Sequence, residues 1–214
     1  GSPATLNVAA FDSEPVLSTP RVVEQPKAGL MQHYVATGYP TACYGTKDAA
    51  ALAILSKVLE RRLYDIIREV SHDFTEGSYH NPTFFERSLA HGAVGAWFAT
   101  ASIDFARYGR DAIVAEFAKL KEEKIPSDMF ETARDSLREK FLANFRDSPE
   151  GVVDLVVKAV SNGDESLKLL HGYPDRLNAL TPTKVRGVAN KYFNPNGFGS
   201  ATGTPAERRG FAIK

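Results

Sequence analysis

Between Val94 and Ile103 the chain sets Val94, Ala96, Phe98 and Thr100 against Gly95, Trp97, Ala99 and Ala101 in strict alternation. A period of two puts successive side chains on opposite faces of a strand. Small residues fill much of one row and large ones occur on both, which predicts a strand covered by a helix on at least one face. This run demands a sheet, and the sheet demands helices.

The rest of the sequence supplies both. Behind Thr46, read as an N-cap with Asp48 in the first turn, Leu52, Leu55, Leu59, Leu63, Ile66/Ile67 and Val70 recur at spacings of three and four. That stripe predicts a helix across 46–70. From Asp104 the helical period returns: Phe105, Ile113, Phe117 and Leu120 mark one helix, ended at Ile125-Pro126. Ser127/Asp128 cap the next, whose stripe is Phe130, Ala133, Leu137, Phe141 and Phe145. Ser148-Pro149 and Thr181-Pro182 each place a capping hydroxyl before a proline at the first helical position. The helix after Ser148 carries Val152, Val153, Leu155, Val156, Val157 and Val160, apolar nearly all round, and is expected to be well buried.

Shorter β-patterned runs fall at Arg21–Glu24, Leu30–Thr37 (closed by Gly38-Tyr39-Pro40), Asp73–His80, Glu86–Ala90 and Phe198–Thr202. The order is strand, strand, helix, strand, strand, several helices, strand, with short links between neighbouring strands. It predicts an α+β fold: a two-layer sandwich, its sheet largely antiparallel and its helices packed on one face. Residues 21–204 form the domain. Gly1-Ser2 reads as a cleavage scar, the Pro-, Ser- and Thr-rich stretch to residue 20 as a linker from an upstream domain, and 205–214 as a tail.

Composition excludes several functions. Twenty-six Lys+Arg balance 26 Asp+Glu in 214 residues, so the basic excess of a nucleic-acid binder is missing. The longest apolar run, Ala49–Leu55, is far short of the about 18 residues of a membrane span. The single cysteine, Cys43, forms no disulfide within the chain and reads as a small buried hydrophobe. The five histidines (His33, His72, His80, His91 and His171) match neither H-E-x-x-H nor H-x-x-E-H. His72, Asp73, Glu76 and His80 have the residue types to take up an adventitious metal, but read more simply as a solvated strand edge. There is no G-x-S-x-G, P-loop or G-x-G-x-x-G. No catalytic residue and no metal ligand is assigned.

Four segments taken together carry a resemblance. Leu59-Glu60-Arg61-Arg62-Leu63-Tyr64-Asp65-Ile66-Ile67-Arg68-Glu69 is similar to the "RL-aromatic-x-x-(L/I)-R-E" helix end of pitrilysin-type zinc peptidases, which include the mitochondrial processing peptidases and the bc-complex core proteins. Gly95–Ala101 stands where that family has its "G-x-(F/W)" strand. Asp128–Asn144, running into Ser148-Pro149-Glu150-Gly151, resembles its long helix and "S-P-E-G" turn. Val185–Asn194 resembles its closing helix. The four lie in the family's order across 21–204.

The resemblance implies a metal-free C-terminal domain. No cofactor is expected in this chain; zinc is expected in a missing N-terminal catalytic domain or a homologous zinc-carrying subunit, over which this domain closes. Its partners would be that half and an extended peptide substrate. In the family an Arg at the end of the "L-R-E" helix and a Tyr seven residues later hold the substrate backbone. Arg68 matches the first; the second position is Thr75, with Tyr79 four residues further on. Arg68, Thr75 and Tyr79 are therefore the candidate substrate-binding residues. Thr75 in place of Tyr favours the alternative of an inactive or scaffold subunit that binds a zinc-carrying partner; an unrelated α+β binding domain is the third reading. The family's bacterial members are often periplasmic or secreted, which is the favoured compartment, and its organellar ones mitochondrial.

Overall fold

A computed structural model describes residues 18–41, 45–71, 83–87 and 92–206, with the backbone alone described for 67–71 and 83–87. The element order is that expected: β1 (Arg21–Lys27), β2 (His33–Thr41), α1 (Ala49–Ser71), β3 (Thr83–Arg87), β4 (Gly92–Thr100), α2 (Ile103–Glu122), α3 (Ser127–Asp147), α4 (Pro149–Ser161), α5 (Lys168–His171), α6 (Tyr173–Asn178), α7 (Pro182–Tyr192) and β5 (Gly199–Pro205). The strands form one sheet in the order β1-β5-β2-β4-β3. β5–β2, β2–β4 and β4–β3 are antiparallel; only the edge pair β1–β5 is parallel. The fold is α+β, with helices packed on the sheet.

The two rows of the Val94 run go to opposite faces. Val94, Ala96 and Phe98 join Val35 and Tyr39 of β2 in the core beneath α1, α2 and α7. On α1, Leu52, Leu55, Leu59 and Leu63 are fully buried, as their spacing predicts. Aromatic rings close the middle of the interface: Phe117 of α2 lies 4.7 Å from Tyr39 and 4.6 Å from Phe193, centroid to centroid. Burial pushes the Tyr39 hydroxyl up to about 12, because the phenolate has no water to solvate it.

Local signals give good helix starts. The Ser148 hydroxyl accepts from Gly151 N at 2.9 Å and Thr181 from Lys184 N at 3.3 Å. Other boundaries differ. β2 runs on through Gly38-Tyr39-Pro40, because β4 pairs it as far as Thr41. Pro40 is tolerated where β2 has already lost β5, whose pairing with it stops at Gly38. β4 ends at Thr100, short of Ile103, and Ser102 caps α2 by accepting from Phe105 N. α1 starts at Ala49, two residues later than a Thr46 cap would set. α3 begins behind Pro126 with no side-chain cap bond, so Ser127/Asp128 do not cap it. The expected strand at Asp73–His80 lies outside the described residues, as does Cys43.

One expectation fails outright. α4 is not well buried: Val153, Val157 and Val160 are 61%, 55% and 45% exposed. Among the described residues it packs mainly against α3 and α5, which cover one flank and leave the valines exposed.

Gly109 of α2 shows how closely helix and sheet meet. A Cβ there would run into the tip of the buried Phe98 ring, which is itself packed edge-on against Phe105. Gly109→Ala should therefore destabilise by about 1–2 kcal/mol, overpacking outweighing the gain in helix propensity. Gly187, exposed in α7, has nothing within 4 Å of a Cβ. Gly187→Ala should stabilise by about 0.5–1 kcal/mol. Thermal melts of the two variants check the opposed signs.

Candidate functional site

Arg68 lies in the last turn of α1, where only the backbone is described. Thr75 and Tyr79 lie outside the described residues. What can be read is how the helix that carries position 68 is held.

Two charge clusters pin α1, one at its start and one near its middle. At its start Asp48, 8% exposed, accepts from the Lys191 ammonium at 2.9 Å and from the Tyr192 hydroxyl at 3.0 Å. Tyr192 also accepts from Lys191 at 2.7 Å. Those two hydrogen bonds, Tyr192's the larger, raise the Lys191 pKa. Near the middle Arg62 lies 3.5 Å from Glu116 and 3.2 Å from Glu123, both presented by the α2 side. Glu116 is 3% exposed and is also bound by Lys119 at 2.6 Å. The hydrogen bond to Glu116 raises the Lys119 pKa.

These contacts explain the "RL" segment physically. Leu59 and Leu63 fill the core, Arg62 ties α1 to α2, and Arg61 points outward. Sequence reasoning misses Glu116, although a signal exists: it interrupts the apolar row of Ile113, Phe117 and Leu120. Both clusters are spent on ion pairs between elements, and neither places a nucleophile beside a base. Among the described residues no group of three or more His, Cys, Asp or Glu is gathered for a metal.

The second face of the sheet is the other feature. Tyr34 of β2 and Trp97 of β4, 44% and 36% exposed, stand on adjacent strands. Around them Ala36, Gly38, Gly95, Ala99 and Ala201 form a floor of small residues. β2, β4 and β5 contribute no charged side chain to this face. The three central strands thus offer an uncharged surface with two aromatic projections, bordered on the same face by Arg21 and Lys27 of β1, and suited to contact rather than to chemistry.

Comparison with known proteins places this architecture. No family model matches the chain, and no curated protein matches it. Solved structures do. A protease from Helicobacter pylori is similar over 89% of this chain, at 24% identity and a TM-score of 0.72. A domain from Bordetella parapertussis described as an inactive peptidase domain is similar over 89% of this chain and 99% of its own, at 18% identity and a TM-score of 0.72. A peptidase M16 inactive domain from Pseudomonas fluorescens is similar over 90%, at 16% identity and a TM-score of 0.66. The chain spans less than half the length of the Helicobacter and Pseudomonas chains, 46% and 45%. It has the fold of the inactive domains of M16 peptidases. Among the described residues no helix is long and apolar enough to cross a membrane.

Proposed function

We propose that this chain is the non-catalytic half of a zinc-dependent peptidase, which closes over a zinc-carrying catalytic half and helps to position an extended peptide. The observation that carries the reading is the likeness, over nine-tenths of the chain and all but 1% of the Bordetella domain, to a peptidase domain described as inactive. The uncharged centre of the sheet face, open among the described residues, supports it, since a wall without fixed charge can enclose a peptide of any sequence. In this reading zinc belongs to the other half, where it would activate the attacking water. This half supplies contacts to the peptide backbone, with Arg68 as the main anchor and Thr75 or Tyr79 beside it. A guanidinium suits an anchoring role because it stays charged and offers forked donors to carbonyl oxygens.

Thr75, standing where the resemblance calls for Tyr, favours a second reading: an inactive or scaffold subunit bound to a zinc-carrying partner. Reconstitution separates the two. Mixed with a zinc-carrying half, the chain should restore peptide cleavage in the first reading and bind without restoring it in the second. Alone, the chain should hold no stoichiometric zinc and cleave no peptide, because its scattered His residues and single Cys form no recognised zinc motif. Metal analysis after dialysis checks this. Near one zinc per chain, retained against a weak chelator, would refute it.

A further inference from the structure

On the open face of the sheet Tyr34 stands opposite Ala99, and Ala36 stands opposite Trp97. The four residues form a square in which the aromatics occupy one diagonal and the alanines the other. Diagonal neighbours of an antiparallel pair are roughly 7–8 Å apart, and side chains stand nearly perpendicular to the sheet. Two carbon contacts of about 3.5–4 Å each span the same gap. A flat ring therefore fits between Tyr34 and Trp97, with Ala36 and Ala99 as its floor. Both aromatics are partly exposed, and neither pairs with another ring among the described residues. Leu30 lies against Gly203, the neighbour of Tyr34 on β5, and extends the apolar lining.

Charge says what accompanies that ring. By register Arg21 and Lys27 of β1 lie on the same face, beyond β5. Among the described residues no carboxylate pairs with either. Glu24, between them, is on the opposite face, where Arg107 binds it at 3.2 Å. Glu86 falls on the far edge strand, opposite Ala93. The face is thus uncharged at the slot and basic along β1. The distance from β2 to β1 is two strand spacings, about 10 Å. An extended peptide advances about 3.3 Å per residue, so a carboxylate three or four positions from the ring reaches the β1 cations. A neutral or basic peptide would leave them unanswered.

We propose that Tyr34, Trp97, Ala36 and Ala99 seat one aromatic side chain of a peptide, and that Arg21 and Lys27 hold an acidic residue three or four positions along it. The substrate class is then an aromatic–acidic peptide. The inference rests on the peptidase reading for the role of that peptide as substrate; the slot itself is tested without it. The rest of the wall stays indifferent to sequence, and one seated ring makes the binding weak.

Trp97 is the single tryptophan of the chain, so its fluorescence reports the slot directly. The probe is a capped alanine peptide carrying one Phe and, four positions on, one Asp. A saturable change in emission is expected. Replacing Phe by Leu, or Asp by Lys, should weaken binding by about fivefold or more. Added salt should erase the second difference but not the first. Ala36→Leu, at an exposed position, should fill the slot, leave the melting curve unchanged and weaken binding by at least about tenfold. Tyr34→Leu should weaken it similarly. Arg21→Ala with Lys27→Ala should remove the preference for Asp alone. No saturable change overturns the proposal. So does equal binding of the Leu peptide, indifference to both Ala36→Leu and Tyr34→Leu, or an Asp preference that survives the double variant. Reconstitution with a zinc-carrying half keeps the two readings apart. Cleavage restored without any aromatic preference refutes the slot alone, and a peptide bound at the slot with no cleavage restored counts against the active-half reading alone.

Discussion

Glu116→Ala should lower the melting temperature by about 6–12 °C, the shift that roughly 3 kcal/mol produces in a chain of this size. The carboxylate is out of water, between Arg62 of α1 and Lys119 of its own helix. Removing it strands Arg62, whose side chain is only 12% exposed, with the outlying Glu123 as its remaining partner. The penalty of an uncompensated buried charge exceeds what the pair contributes when intact. Replacing both partners, Arg62→Met with Glu116→Leu, should therefore recover most of the loss and give a strong coupling in a double-mutant cycle. The half-exposed Lys57–Glu60 pair on α1 is the control; Glu60→Ala should cost less than about 1 kcal/mol. Equal losses for Glu60→Ala and Glu116→Ala would mean that the α1–α2 cluster is not effectively buried.

That cluster marks where reading the sequence stops. The Leu52–Leu63 stripe, the alternation around Phe98 and the hydroxyl-proline starts at Ser148 and Thr181 are local signals, and each appears in the structure as it reads. Glu116 is different. Its partner Arg62 lies more than fifty residues away, so although Glu116 stands in the apolar row of α2, nothing within the helix names the cation that pairs with it. Gly38-Tyr39-Pro40 has the composition of a turn, yet it is strand, because pairing with β4 outweighs local preference. α4 misleads in the other direction. Its composition calls for burial on all sides, but the described chain covers only the flank facing α3 and α5. Of the candidate site, position 68 was legible as the end of a helix. Its chemistry came from the resemblance, since one arginine near a helix end carries no distinctive pattern of its own.

In an assembled, zinc-carrying enzyme, Arg68→Ala should lower kcat/KM by about 10–200-fold, the effect of losing roughly 1.5–3 kcal/mol of charge-assisted hydrogen bonding to the peptide. Stability should barely change, because the helix is held by its leucine stripe, the Asp48 cluster and the Arg62–Glu116 contact. The competing role for Arg68 is a cation in the last turn of α1, interacting with the helix dipole for about 0.3–1 kcal/mol. That role predicts the reverse: a small drop in melting temperature and unchanged turnover. Arg68→Lys sharpens the contrast. A lysine keeps the charge at the helix end but loses the forked donors, so a dipole role is rescued while a backbone anchor is rescued only in part. Thr75→Val and Tyr79→Phe each remove one hydroxyl, and the one that serves beside Arg68 should lower kcat/KM non-additively with Arg68→Ala. Full activity of Arg68→Ala with a lowered melting temperature would end the anchoring role and move the reading to the inactive subunit, for which Thr75 already argues.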